Sequence, residues 1–160
     1  MWRFFSAAML MFALAVPATA AEPVVDDEFM VVYRTDSSFA DVREFVEMGI
    51  TDRGMVVNNV AYISNMLERT RGDVGGAALY TEGEALEFCS ATLSRDTMAA
   101  DIHNIVFCPY VIAVYVKADE PDAVYVGYKR MPRVKDEKSR ATLIAVEELL
   151  DEIVQDAVQF

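Results

Sequence analysis

Seven consecutive apolar residues, Tyr110-Val111-Ile112-Ala113-Val114-Tyr115-Val116, constrain the fold of this chain more than any other stretch. They predict a strand over Phe107 to Val116. A strand apolar at every position has no solvent side, so both of its faces should be covered. Pro109 stands at its first position, where a missing N–H is tolerated, and it forces Cys108 into extended backbone. Asp119-Glu120-Pro121-Asp122 then reads as a turn, and Ala123 to Tyr128 as the hairpin partner. Tyr110, Tyr115, Tyr125 and Tyr128 recur along this hairpin and are expected as core and cross-strand pairs.

Other elements follow from periodicity and caps. Glu28 to Tyr33 is a strand closed by the polar turn Arg34 to Ser37. Ser38 caps a helix whose apolar residues Phe39, Val42, Val46 and Ile50 recur at helical spacing, with Gly54 as a left-handed stop. Met55 to Val60 is a further strand; Ala61 to Arg71 is ambiguous, Tyr62, Ile63, Met66 and Leu67 allowing a short amphipathic helix that Gly72 to Gly76 would end; Ala77 to Gly83 is an irregular connection. Glu84 to Cys89 is a strand, and Ser90 caps a helix running to about Asp101 with Leu93, Thr97, Met98 and Ile102 inward. Lys129, Arg130, Arg133, Lys135, Lys138 and Arg140 read as a solvated linker. Ser139 to Ala157 is an amphipathic helix, with Leu143, Val146, Leu150, Ile153 and Val154 on one face and Glu147, Glu148, Asp151 and Glu152 on the solvent face. This order predicts an α+β fold of two layers: a mixed, mostly antiparallel sheet with helices packed on one face, plus a C-terminal amphipathic helix at about 139–158.

The first twenty residues are set apart. Arg3 supplies a positive start, Phe4 to Val16 an apolar run, and Ala18-Thr19-Ala20 a signal-peptidase site. The run is shorter than the roughly 20 residues a membrane-crossing helix needs. Cleavage after Ala20 is expected, with export to the periplasm and one domain over residues 21–160, its core at about 28–128. Losing Arg3 takes Lys+Arg from 14 to 13 against 26 acids, a net charge of −13. Such a chain repels phosphate backbones and anionic lipid, so no nucleic-acid or membrane partner is expected after cleavage.

The chain has two cysteines, Cys89 and Cys108, bracketing the helix that Ser90 caps. In an exported chain they favour oxidation, and a bridge would close a loop worth roughly 3 kcal/mol. Four readings stay open: a structural disulfide, a functional redox or sulfur-carrying dithiol, two separate buried thiols, and a soft-metal site. At a helix N-terminus Cys89 should have a lowered pKa and serve as nucleophile, with Cys108 resolving. His103, the one histidine, could complete a Cys89, His103, Cys108 ligand set. Ser90, His103 and Tyr110 are the neighbours expected at the site. No C-x-x-C, hydrolase motif, phosphate-binding loop or nucleotide fingerprint occurs, so no cofactor and no catalytic residue are assigned. The reading is an accessory protein, leaning away from an enzyme, with a small ligand or a protein as partner.

The string Glu87-Phe88-Cys89-Ser90-Ala91-Thr92, a short helix, then Asn104-Ile105-Val106-Phe107-Cys108-Pro109-Tyr110 and an apolar strand resembles the domain of unknown function 302 family. In that family a cysteine ends one strand, a helix follows, and a second cysteine opens the next strand. The helix from Ser38, its glycine stop and the strand after it match the upstream pattern. Ser90-Ala91 stands where many members have Asn-Pro, and Pro109 follows the second cysteine where members tend to carry proline before it. The resemblance implies a small two-layer α+β fold, marks Cys89 and Cys108 as its site, leaves room for a homodimer, and brings no activity with it.

Overall fold

The computed structural model describes residues 21–159, so the expected leader over residues 1–20 lies outside the described residues. The elements are β1 (Val25–Asp26), β2 (Met30–Thr35), α1 (Phe39–Asp52), β3 (Val57–Tyr62), α2 (Ile63–Val74), β4 (Tyr80–Phe88), α3 (Ala91–Ala100), a 3-10 helix (Ile102–Phe107), β5 (Tyr110–Lys117), β6 (Val124–Lys129) and α4 (Glu137–Val158). The six strands form one sheet in the order β1-β2-β6-β5-β4-β3. Every pairing is antiparallel. The α+β architecture is as the sequence predicts, with the β5–β6 hairpin at its centre.

Helices α1 and α4 cover one face of the sheet. Val42, Val46 and Ile50 of α1 and Leu143, Leu150 and Ile153 of α4 are buried against Leu86, Phe88, Ile112 and Val114. Each such side chain contributes about 1.5–3 kcal/mol on burial. Both helix starts are capped by side chains. Ser38 accepts the N–H of Asp41 at 3.2 Å, and Asp136 accepts that of Ser139 at 2.8 Å. Asp136 therefore starts α4 earlier than Ser139, which is buried within the first turn. Gly54 ends the α1 segment at φ 73°, and Gly75 ends α2 at φ 75°, conformations that glycine adopts without strain.

Three expectations are corrected. Ala77 to Gly83 is irregular only as far as Leu79, because β4 starts at Tyr80, which pairs with Lys117 and packs edge-on against Tyr115. The linker after β6 is not simply solvated. Arg130 and Arg133 both pair with Glu147 on α4, and Glu147 also accepts the Met131 N–H at 2.8 Å. Glu147 is thus buried rather than on a solvent face, its two oxygens saturated by three donor groups. Ile102 does not join the inward stripe of α3. The helix ends at Ala100, Asp101 accepts the His103 N–H, and the tighter 3-10 turn leaves Ile102 exposed.

The apolar strand β5 is covered by helices on one side only. Ile112, Val114 and Val116 are buried, while Val111, Ala113 and Tyr115 between them are half-buried on the opposite, open face. Helix α2 alone lies on that open face. A Cβ placed on Gly83 would sit 3.6 Å from the Ser64 Cβ of α2 and 3.7 Å from the Cβ of Tyr115.

Candidate functional site

Cys89 follows the last residue of β4 and Cys108 precedes β5, so antiparallel pairing of the two strands brings their ends together. Phe88 lies opposite Tyr110 in the register. Both cysteines are free and half-buried, with their sulfurs 2.6 Å apart, longer than the roughly 2.05 Å of a disulfide bond. Ser90 caps α3 by accepting the Leu93 N–H at 3.3 Å. One turn on, the Ser94 hydroxyl lies 3.7 Å from the Cys108 sulfur and 3.1 Å from the Tyr110 hydroxyl. Tyr110 is buried, and its ring meets Phe88 edge-on at 6.0 Å between centroids. The Cys108–Pro109 peptide is cis.

Burial, and then the contact with the Cys108 sulfur, pushes the Cys89 thiol up to about 11, although the Tyr110 backbone draws it partly back. A thiolate favoured by the helix N-terminus is therefore corrected. Ser90 stands between Cys89 and the helix, and its side chain and carbonyl already take the Leu93 and Ser94 N–H groups. Burial disfavours the charged form, and it is the largest influence on this thiol. Burial likewise raises Tyr110.

His103 lies on the outer side of the 3-10 helix and is exposed. No group of three or more His, Cys, Asp or Glu placed to hold a metal occurs among the described residues. The structure thus brings Cys89, Cys108, Ser90 and Tyr110 together and leaves His103 outside.

Two groups at the site were missed in the sequence. Ser94 lies four residues after the cap, on the same face of α3, a spacing that could have flagged it. Asn104 is buried, and its amide donates to the Thr97 carbonyl at 2.8 Å and the Ser139 hydroxyl at 2.6 Å. Its partner is 35 residues away, so no local signal marks it. With Asn104 turned inward, the 3-10 helix presents Ile102, Ile105 and Val106 outward, at 71%, 60% and 75% exposure. The Cys108 N–H bonds to the Ile105 carbonyl at 3.1 Å, so this apolar patch adjoins the thiols.

Residues 31–157 match the family described as Domain of unknown function DUF302. The chain belongs to that family. The cysteine-bounded block that suggested the resemblance falls inside the matched span. No curated protein matches the chain. Among solved structures it is similar to an uncharacterised conserved DUF302 protein from Bacillus stearothermophilus, with a TM-score of 0.70 and 14% identity, over 82% of this chain and 99% of that one. At that identity the likeness concerns the fold.

Proposed function

We propose that this DUF302 protein is an exported, non-enzymatic accessory protein whose Cys89/Cys108 pair is a redox-sensitive binding site. The observation that carries the reading is the meeting of the chain's two thiols, sulfurs 2.6 Å apart, beside the exposed patch of Ile102, Ile105 and Val106. Two thiols at the rim of an apolar surface suit a site that a partner's side chains cover and whose shape depends on whether the sulfurs are bonded. Oxidation forms one S–S bond and removes two S–H protons and two electrons. A partner protein's disulfide would take up both as two thiols, by exchange through a mixed disulfide. The leader motif supports export, and Ala21, the residue after the expected cleavage point, already packs against the core.

The raised Cys89 pKa speaks against a nucleophile working at neutral pH, and it makes exchange through this thiol slow there. The deciding experiment is intact mass of the exported protein after alkylation, with and without prior reduction, combined with a redox titration. The reading expects a pair that interconverts at a potential above about −300 mV. A bridge titrating below that value would be structural, and two thiols that never pair in oxidising buffer would remove the reading.

A further inference from the structure

The two thiols of the pair are not equivalent. Antiparallel pairing of β4 and β5 brings both sulfurs to one end of the sheet, but their surroundings differ. Helix α3 places Ser94 beside Cys108, its hydroxyl 3.7 Å from that sulfur and 3.1 Å from the Tyr110 hydroxyl. Sulfur is the larger atom, so its hydrogen bonds are longer than those between oxygens. A thiolate can only accept, so with Cys108 ionised Ser94 donates to the sulfur and Tyr110 donates to Ser94. Tyr110 is fixed for this role, buried and edge-on to Phe88 across the register. No such hydroxyl serves Cys89. Among the described residues its sulfur meets the Cys108 sulfur and the Tyr110 backbone. Among the same residues, Cys89 and Tyr110 are the titratable groups that interact with Cys108.

The second difference is the approach. The exposed Ile105 and Val106 lead directly into Cys108, whose N–H is tied to the Ile105 carbonyl at 3.1 Å. Cys89 instead follows Phe88, which is fully buried. A partner seated on the apolar patch therefore comes to Cys108 along the 3-10 helix.

We infer that Cys108 is the thiol that meets a partner protein's disulfide, with Ser94 and Tyr110 as its positioning residues, and that Cys89 acts second. The inference rests on the reading of the pair as a redox-sensitive site and adds an order of events to it. In the first step the Cys108 thiolate attacks one sulfur of the partner's disulfide. A mixed disulfide forms, the partner's S–S bond breaks, and its other sulfur leaves and takes a proton. In the second step the Cys89 thiolate attacks the Cys108 sulfur. The Cys89–Cys108 bond forms, the mixed disulfide breaks, and the partner's remaining sulfur leaves as a thiol. The pair gives up two electrons and two protons, and the partner's disulfide gains both. Sulfurs 2.6 Å apart are already placed for the second step. The first step also eases the second. Once bonded to the partner, the Cys108 sulfur no longer carries the charge that helps to raise Cys89, and the Tyr110 backbone remains to favour the new thiolate. Burial, the largest cause, persists, so the second step is the slower.

The test is partial alkylation of the reduced protein with iodoacetamide at pH 7, followed by peptide mass mapping. Cys108 is expected to take at least about ten times the label of Cys89. In the Cys89→Ser background, Ser94→Ala and Tyr110→Phe should each slow Cys108 by about threefold or more and move its pH–rate profile upward. Ser94→Thr, which keeps the hydroxyl, should restore both, a rescue that a merely structural role would not give. Label reaching Cys89 first overturns the order, and a Cys108 profile indifferent to Ser94→Ala overturns the part given to the hydroxyls. Both are read on reduced protein. Failure of the redox reading shows separately, as thiols that never pair in oxidising buffer whatever their order of labelling.

Discussion

The Asn104 side chain donates a 2.6 Å hydrogen bond to the Ser139 hydroxyl, joining the segment before Cys108 to the first turn of α4. Both groups are buried, and Asn104 also holds the Thr97 carbonyl of α3. The position of Cys108 relative to Cys89 thus depends on a residue that touches neither sulfur. Asn104→Ala should cost about 1–3 kcal/mol, the range for leaving buried partners unsatisfied. Urea unfolding measures the loss, and alkylation of Cys108 at neutral pH should quicken in the same variant. Unchanged alkylation would show that Asn104 does not set the site.

Glu147 holds the segment after β6 against α4. Burial would raise its carboxyl pKa, but Arg133, the Met131 N–H and Arg130 outweigh that and hold it below its ordinary value. A depressed folded pKa contributes stability that is present above the unfolded value and lost as pH falls through the folded one. Acid should therefore loosen this segment below about pH 4.5. Glu147→Gln should cost about 3 kcal/mol at neutral pH, as expected when one partner of a buried ion pair is removed. It should also flatten the acid limb of the stability curve, as thermal melts between pH 3 and pH 7 would record.

Asp151 accepts from both Tyr33 at 2.7 Å and Tyr128 at 2.8 Å. Burial, then the Asp151 hydrogen bond and charge, pushes Tyr33 up to about 12, and the same causes in the same order raise Tyr128. A raised folded pKa gives stability that is full below the unfolded value, near 10, and lost as pH rises through the folded one. Asp151→Asn should lower both tyrosine pKa values, which a near-ultraviolet absorbance titration follows directly. Titration unchanged by the substitution would deny Asp151 that role.

Cys89 should alkylate slowly at neutral pH, its rate still climbing from pH 9 toward about 11 as the buried thiol ionises. Replacing Cys108 by serine removes the sulfur contact and should bring that profile to lower pH. A rate that levels off below pH 8 would instead mark a thiolate stabilised at the helix start.

Much of the scaffold is legible locally. Ser38 and Gly54 mark the ends of α1, Ser90 caps α3, and the apolar run from Tyr110 marks β5, because each rests on interactions within a few residues. The partners of Asn104, Glu147 and Asp151 are not legible, since each lies on another element. The solvent-face reading of Glu147 failed for this reason: helical periodicity shows which side an acid occupies, not that two arginines will fold back over it.

From the sequence by itself come the α+β class, the central hairpin and the pairing of interest between Cys89 and Cys108. The expectation that β5 be covered on both faces comes from the same source, and the structure corrects it: α1 and α4 bury one face and leave the other half-buried. Tertiary structure decided that the thiols meet, that burial raises Cys89, and that His103 stands apart. It also decided that only one face of β5 is covered by α1 and α4, while Val111, Ala113 and Tyr115 on the other stay half-buried. The physical reason is common to all four. Periodicity and capping are properties of neighbouring residues, whereas burial, dielectric and register depend on which distant surface the fold brings against them.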